Sequence, residues 1–175
     1  VTVLTLCGSL RPDSWNRLLL DLLEQRLEGR GHELDRVSAA ELAAVPHYSP
    51  DADGEHAPAN VVELRRRIGA AETVVIACPT YNLGLPSTVK ALVDWGSRPF
   101  GSSAFQGSRL AVIATGNGRT SGTAVAEYLT TAFGLIFQAT VVDPVVVVPS
   151  ITRRVTDGVP ETEILAQLDA LAAAI

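Results

Sequence analysis

The sequence predicts a doubly wound α/β fold, a five-stranded parallel sheet with helices on both faces, and two observations carry that expectation. Short β-branched runs alternate with turns and helical patterns along the whole chain. The central runs are apolar without interruption, as strands covered on both faces must be. Right-handed crossovers then restrict the topology, and the expected strand order is 2-1-3-4-5 with a ligand crevice beside the first strand.

Val1 to Cys7 reads as the first strand. Trp15 to Glu28 is the first helix, with Leu18, Leu19, Leu22, Leu23 and Leu27 at helical spacing and Gly29 and Gly31 beyond as stop residues. His32 to Val37 is a second, more polar strand, nearer an edge. Ser38 to Pro58, rich in Pro, Asp, Gly and His, reads as a loop longer than the usual two to six residues. Ala59 to Ile68 is helical, Thr73 to Cys78 is the third strand, and a Pro/Tyr/Asn/Gly/Pro loop leads to a helix from about Ser87 to Trp95. Leu110 to Ala114 is the fourth strand, Gly122 to Phe133 its helix, Val141 to Val148 the fifth strand and Glu161 to Ala173 the closing helix.

The 175 residues fit one domain over 1–175 and suffice to bury about 70% of the unfolded surface without staples. Aromatics are only 5% and Met is absent, so Val, Leu, Ile and Ala must fill the core. No window reaches the roughly 18 apolar residues of a membrane span; the richest, Ala139 to Val148, is broken by Asp143 and Pro144. The amino end lacks a basic leader and reads as a strand, not a signal peptide. Cys7 and Cys78 show no CxxC spacing, so neither a disulfide framework nor a zinc site is expected, and a cytoplasmic location fits. A net charge of -5 argues against nucleic acid as a partner, and the one basic cluster, Arg65 to Arg67, reads as a solvated helix face.

In a sheet of this order the loops after strands one, three and four converge. The first reads Gly8-Ser9-Leu10-Arg11-Pro12-Asp13-Ser14-Trp15-Asn16 and opens a helix, where free N–H groups and the helix dipole favour an anion. It has neither GxGxxG nor GxxxxGK[ST]. Its donors, Ser9, Arg11, Ser14 and Asn16, can surround a terminal phosphate monoester, with the charge of Asp13 pointing away. The alternative is that Asp13 or Ser14 caps the helix and Arg11 is a surface charge.

The run Gly8-Ser9-Leu10-Arg11 with Ser14 and Asn16 resembles the phosphate loop of the NADPH-dependent FMN reductase family of flavodoxin-like proteins. Pro79-Thr80-Tyr81-Asn82-Leu83-Gly84-Leu85-Pro86, followed by Lys90, Asp94 and Trp95, is similar to that family's Pro-x-Tyr-Asn motif and its Pro-x-x-x-Lys-x-x-x-Asp-Trp helix. Thr115-Gly116-Asn117-Gly118, with Gly122 beyond, resembles its glycine-rich turn, without the paired glycines common there. Pro46, Tyr48 and Asp51 are similar to its Pro-x-Tyr segment. Thr80, Ser87 and Ala91 stand where many members carry Glu or Gln, Gly, and Asn. The resemblance spans nearly the whole chain and weakens from about Pro149.

The resemblance implies a three-layer flavodoxin-like fold that holds FMN through Ser9, Arg11, Ser14, Trp15, Asn16, Pro79, Thr80, Tyr81, Asn82, Thr115, Gly116, Asn117 and Gly118. A flat isoalloxazine with a polar pyrimidine edge needs a wall and backbone donors. Tyr81 and Asn82 are expected along the ring, and Gly84, Gly116 and Gly118 permit close approach. It further implies an NAD(P)H-dependent oxidoreductase that passes hydride from NADPH or NADH to FMN and then to a small acceptor: flavin, quinone, azo compound or metal oxyanion. The cofactor carries the hard chemistry, so no catalytic acid–base dyad is expected. Arg11 and Arg119 are candidates to meet the nicotinamide cofactor's phosphates, with Arg119 solvated as the alternative.

A homodimer or homotetramer is implied, with the loop-two helix and the long loop at the contact. Lys90 and Asp94 are then structural, near that contact, and Trp95 belongs to interface or core. The alternative function is a flavodoxin-type FMN electron carrier reduced by a protein partner, against which the mild net acidity counts. A serine hydrolase fails, because Gly118-Arg119-Thr120-Ser121-Gly122 puts Ser at the fourth position and not the third of G-x-S-x-G. Cys7 and Cys78 end strands that are neighbours under the crevice and read as small buried thiols. His32, His47 and His56 have no metal spacing and no assigned role.

Overall fold

The computed structural model describes residues 2–175, so Val1, placed above in the first strand, lies outside the described residues. The elements in chain order are β1 (Thr2–Cys7), α1 (Trp15–Gly29), β2 (Glu33–Val37), α2 (Ala39–Ala43), α3 (Ala59–Ala70), β3 (Thr73–Pro79), α4 (Ser87–Gly96), β4 (Arg109–Thr115), α5 (Thr123–Phe137), β5 (Thr140–Val141), β6 (Val146–Val148), β7 (Val155–Thr156), β8 (Val159–Pro160) and α6 (Thr162–Ala174). The sheet runs β2-β1-β3-β4-β5, with β6 also on β4, and every pair in it is parallel. That is the expected order. No helix among the described residues is long and apolar enough to cross a membrane.

Side chains alternate across the strands and so serve two separate cores. Val3, Val75, Ala77, Ala111 and Ile113 pack with Leu19, Leu20, Leu23 and Leu27 of α1 and Ile164, Leu168 and Leu171 of α6. Leu4, Leu6, Val74, Ile76, Leu110 and Val112 face the other way, onto Val61, Leu64 and Ile68 of α3, Leu92 of α4, and Leu129 and Phe133 of α5. Phe105, Phe133 and Phe137 meet in tilted and edge-to-face contacts with centroids 4.7–5.2 Å apart under α5.

Several expectations are corrected. The fifth strand is not continuous from Val141 to Val148: β5 and β6 both pair with β4, and the register slips by two residues across the break. Pro144 sits in that break, where a residue without an N–H cannot serve a ladder. The stretch from Ser38 to Pro58 is not wholly loop. Ser38 accepts from the Glu41 N–H while Glu41 accepts from the Ser38 N–H, a capping box that starts α2. The Arg65 to Arg67 triplet is not a solvated face. Arg65 pairs with Asp53, Arg66 with Glu63, and Arg67 with Asp35 and Glu41, and the Arg65 and Arg67 side chains are largely buried.

Trp95 belongs to the core, fully buried, and its indole N–H donates to the Pro46 carbonyl at 2.8 Å. Tyr48 meets it edge-on at 5.0 Å. The long loop is thus pinned to α3 and α4 from beneath.

Candidate functional site

Three connections leave the carboxyl ends of β1, β3 and β4 and meet above the sheet. They enclose a cavity of about 340 Å³, within the range of small-ligand sites. Its wall contains Ser9, Arg11, Ser14, Trp15 and Asn16 from the first connection, Pro79, Thr80 and Tyr81 from the second, and Thr115, Gly116, Asn117 and Gly118 from the third. Asp13, Ser121 and Ile151 complete it. Of the residues expected to hold FMN directly, Asn82 alone is not brought to this wall; Gly84, expected to permit close approach to the ring, is also outside it. Asn82 sits exposed at the tip of a tight turn in which Tyr81 and Gly84 exchange backbone hydrogen bonds.

The first connection ends at Ser14, whose hydroxyl accepts from the Asn16 N–H at 3.2 Å; Ser14 is therefore the cap, not Asp13. The first turn of α1 contains no acidic side chain, so its positive end faces the cavity without an internal counter-charge from that turn. Ser9 and Asn16 are almost fully buried. The Asn16 Oδ1 is buried with no hydrogen-bond partner, an arrangement that costs free energy unless something else fills it. Its amide can also turn to offer N–H donors. Asp13 does not point away as expected: it lines the cavity, and both its carboxylate oxygens lie 3.2 Å from the Arg11 guanidinium. That guanidinium is the main reason its carboxyl is held below the usual range.

The second and third connections are tied to each other. Thr80 accepts from the Gly122 N–H at 2.8 Å through its hydroxyl, and its own N–H donates to the Thr115 carbonyl. Gly122 holds φ +96°, and a Cβ there would stand 2.7 Å from the Ala114 carbonyl oxygen, so glycine is required. The space beside Gly116 and Gly118 is taken differently from expectation. A Cβ on either would meet Ser121, whose hydroxyl accepts from the Gly118 N–H at 3.0 Å. The Gly116 and Gly118 carbonyls accept from Ile151 and Ser150. The N–H groups of Gly116 and Asn117 donate to no other backbone group among the described residues and remain available as donors.

Ser121 and Ile151 were not foreseen. Ser121 was legible only as a turn residue, and Ile151 arrives from beyond the sheet by a fold-back that no local pattern announces. Arg119 is exposed and outside the cavity wall. Cys7 and Cys78 end neighbouring strands but do not face each other. Cys7 is in register with Ala77, so Cys78 points to the opposite side of the sheet. Burial pushes both thiols up.

The cavity thus has a hydroxyl- and amide-rich end at a helix N-terminus, and a second end with an aromatic, a proline and free backbone donors. This donor set fits FMN: the first end suits a terminal phosphate, and the second a flat heterocycle with one polar edge.

The family model for NADPH-dependent FMN reductase matches residues 1–153. The chain is 35% identical over 120 residues to the 2-hydroxy-1,4-benzoquinone reductase of a Burkholderia species, covering 69% of this chain and 62% of that protein. It is 32% identical over 128 residues to an NAD(P)H-dependent FMN reductase of Pseudomonas aeruginosa, covering 73% and 66%. Each match thus covers less than two thirds of the relative's length. Among solved structures, the flavoenzyme NAD(P)H:(acceptor) oxidoreductase of Paracoccus denitrificans superposes with a TM-score of 0.80 at 27% identity, over 99% of this chain and 96% of that one. An azoreductase of Bacillus anthracis shares the fold, with a TM-score of 0.71 at 16% identity over 99% and 97%. Sheet order, cavity position and the family match agree, and the chain belongs to the NADPH-dependent FMN reductase family.

Proposed function

We propose that this protein is an NAD(P)H-dependent flavin oxidoreductase, one domain over residues 1–175, that holds FMN in the cavity above β1, β3 and β4 and reduces a small acceptor of the quinone class. The observation that carries the reading is the convergence in one cavity of a phosphate-type donor set and a ring-type wall, contributed by three separate connections. The naming of relatives as quinone reductases supports the acceptor class.

In this reading Ser9, Ser14 and Asn16 bond the phosphate oxygens, and Arg11 supplies the one positive charge at the wall among the described residues. Tyr81, about half exposed, offers a ring face to a flat ligand. The Gly116 and Asn117 N–H groups serve the polar edge of the heterocycle. Thr80 and Ser121 hold those donors still by bonding Gly122 and Gly118. FMN held by these residues would supply the hydride-transfer chemistry between a reduced nicotinamide and the acceptor. The protein binds, orients and excludes water.

Assembly as a homodimer or homotetramer and a cytoplasmic location belong to the same proposal; light scattering at micromolar concentration tests the first. The test of function is steady-state oxidation of NADPH or NADH by the purified protein with benzoquinone, with and without added FMN. Turnover that needs protein, FMN and quinone together supports the reading. FMN binding without nicotinamide oxidation would favour an electron carrier reduced by a protein, and absence of both would refute the proposal.

A further inference from the structure

We propose that Asp13 is an internal competitor for the flavin phosphate: its carboxylate occupies Arg11, and a bound phosphate must displace it. The inference rests on the flavin reading above and deepens it. Arg11 and Asp13 are the charged side chains in the cavity wall among the described residues, and their formal charges cancel. A phosphate monoester with about −1.5 to −2 charges therefore meets a wall of zero net charge, where Arg11 alone would have offered a full positive charge.

The pair is built to open. Its contacts are 3.2 Å, longer than the roughly 2.7–2.9 Å of strong charge-assisted bonds, and the two side chains are 72% and 77% exposed. Asp13 directly precedes the cap Ser14, so its carboxylate and a ligand phosphate are drawn to the same helix end. Arg11 makes no other side-chain hydrogen bond among the described residues, so release from Asp13 leaves its guanidinium free to follow the phosphate. The neutral partners Ser9, Ser14 and Asn16 are indifferent to that exchange. The consequence is a site that gains less from the phosphate than its donor set alone would give, and from which FMN exchanges readily.

The experiment is equilibrium titration of wild-type protein, Asp13→Asn and Asp13→Ser with FMN and, separately, with riboflavin, followed by flavin fluorescence at low ionic strength. Two replacements at an exposed position guard against a folding artefact in one of them. Both are expected to bind FMN about three- to tenfold more tightly than wild type, the size of one screened charge contact, with riboflavin affinity unchanged. Wild-type binding of FMN with an FMN-to-riboflavin affinity ratio that neither replacement changes would overturn the role of Asp13 and leave the flavin site standing. Equal tightening of both ligands would overturn it as well. Wild-type protein that binds neither flavin would refute the flavin reading itself.

Discussion

Asn16 combines two properties that pull against each other: near-complete burial and a side-chain oxygen with no partner. A protein optimised only to fold would place an apolar residue there, which is what supports assigning the amide to the ligand phosphate in the proposed site. Asn16→Ala is expected to leave the melting temperature of the flavin-free protein unchanged or slightly raised. FMN affinity is expected to fall about tenfold or more, the worth of a hydrogen bond to a charged group. Calorimetry and flavin titration on one preparation check both halves. Thr80 works differently. Its hydroxyl accepts from Gly122 at 2.8 Å and welds the connection after β3 to that before α5. Thr80→Val strands a part-buried N–H and is expected to cost about 1–3 kcal/mol in urea unfolding, with Thr80→Ser recovering most of it. The donors of the first connection were readable from residue types at a helix start. The roles of Thr80 and Ser121 were not, because the Thr80 contact depends on a partner 42 residues away and that of Ser121 on the shape of one turn.

At the scale of elements, α1 is fixed to the sheet by more than its leucines. Glu24 is buried against β1 and β2, where it accepts from Thr5 at 2.7 Å and from Arg36 at 2.8 Å and meets Arg17 at 2.9 Å. Burial pushes this carboxyl up, but the hydrogen bonds from Thr5 and Arg36 and the charge of Arg17 outweigh it, and it is held below the usual glutamate range. A folded value lower than the unfolded one, about 4.3, means the stabilisation is complete above that pH and is lost as pH falls through the folded value. Glu24→Gln is expected to lower stability at pH 7 by about 1–3 kcal/mol and to flatten the acid side of the stability curve below about pH 4. Unfolding in urea at a series of pH values measures both. Wild-type and variant curves that stay parallel through the acid range would contradict this linkage. The central strands and long helices were legible because apolar runs and helical spacing report burial directly. The short elements were harder. The capping-box pair Ser38 and Glu41 and the Asp157-Gly158 turn between β7 and β8 are present in the sequence. Each belongs to an element of five residues or fewer, too short for periodicity to register.

Across the whole molecule, strand alternation separates two cores and keeps the cysteines apart. Cys7 packs with α1 and α6, and Cys78 with the helices of the opposite face. A thiol reagent is expected to label native protein slowly at both positions, which burial protects, and to label both at once after unfolding. A disulfide between them in folded protein would contradict the register of β1 and β3. Uninterrupted apolar strands and right-handed crossovers restricted the topology to a few orders, of which 2-1-3-4-5 was the expected one and is the one observed, and that order also fixes which connections meet. What it could not fix is how the segment after β6 folds back to put Ile151 against Gly116, since backbone bonds from Ser150 and Ile151 to the Gly118 and Gly116 carbonyls and the burial of one isoleucine specify it, and no periodic pattern does. The cavity formed by those connections is the centre of the functional reading, and a crystal structure of the protein soaked with FMN tests it most directly. Expected is the phosphate beside Ser9, Arg11 and Asn16 with the ring between Tyr81 and the Gly116–Gly118 turn. Density that leaves this cavity without ligand, together with a flavin titration that shows no binding in solution, would contradict it.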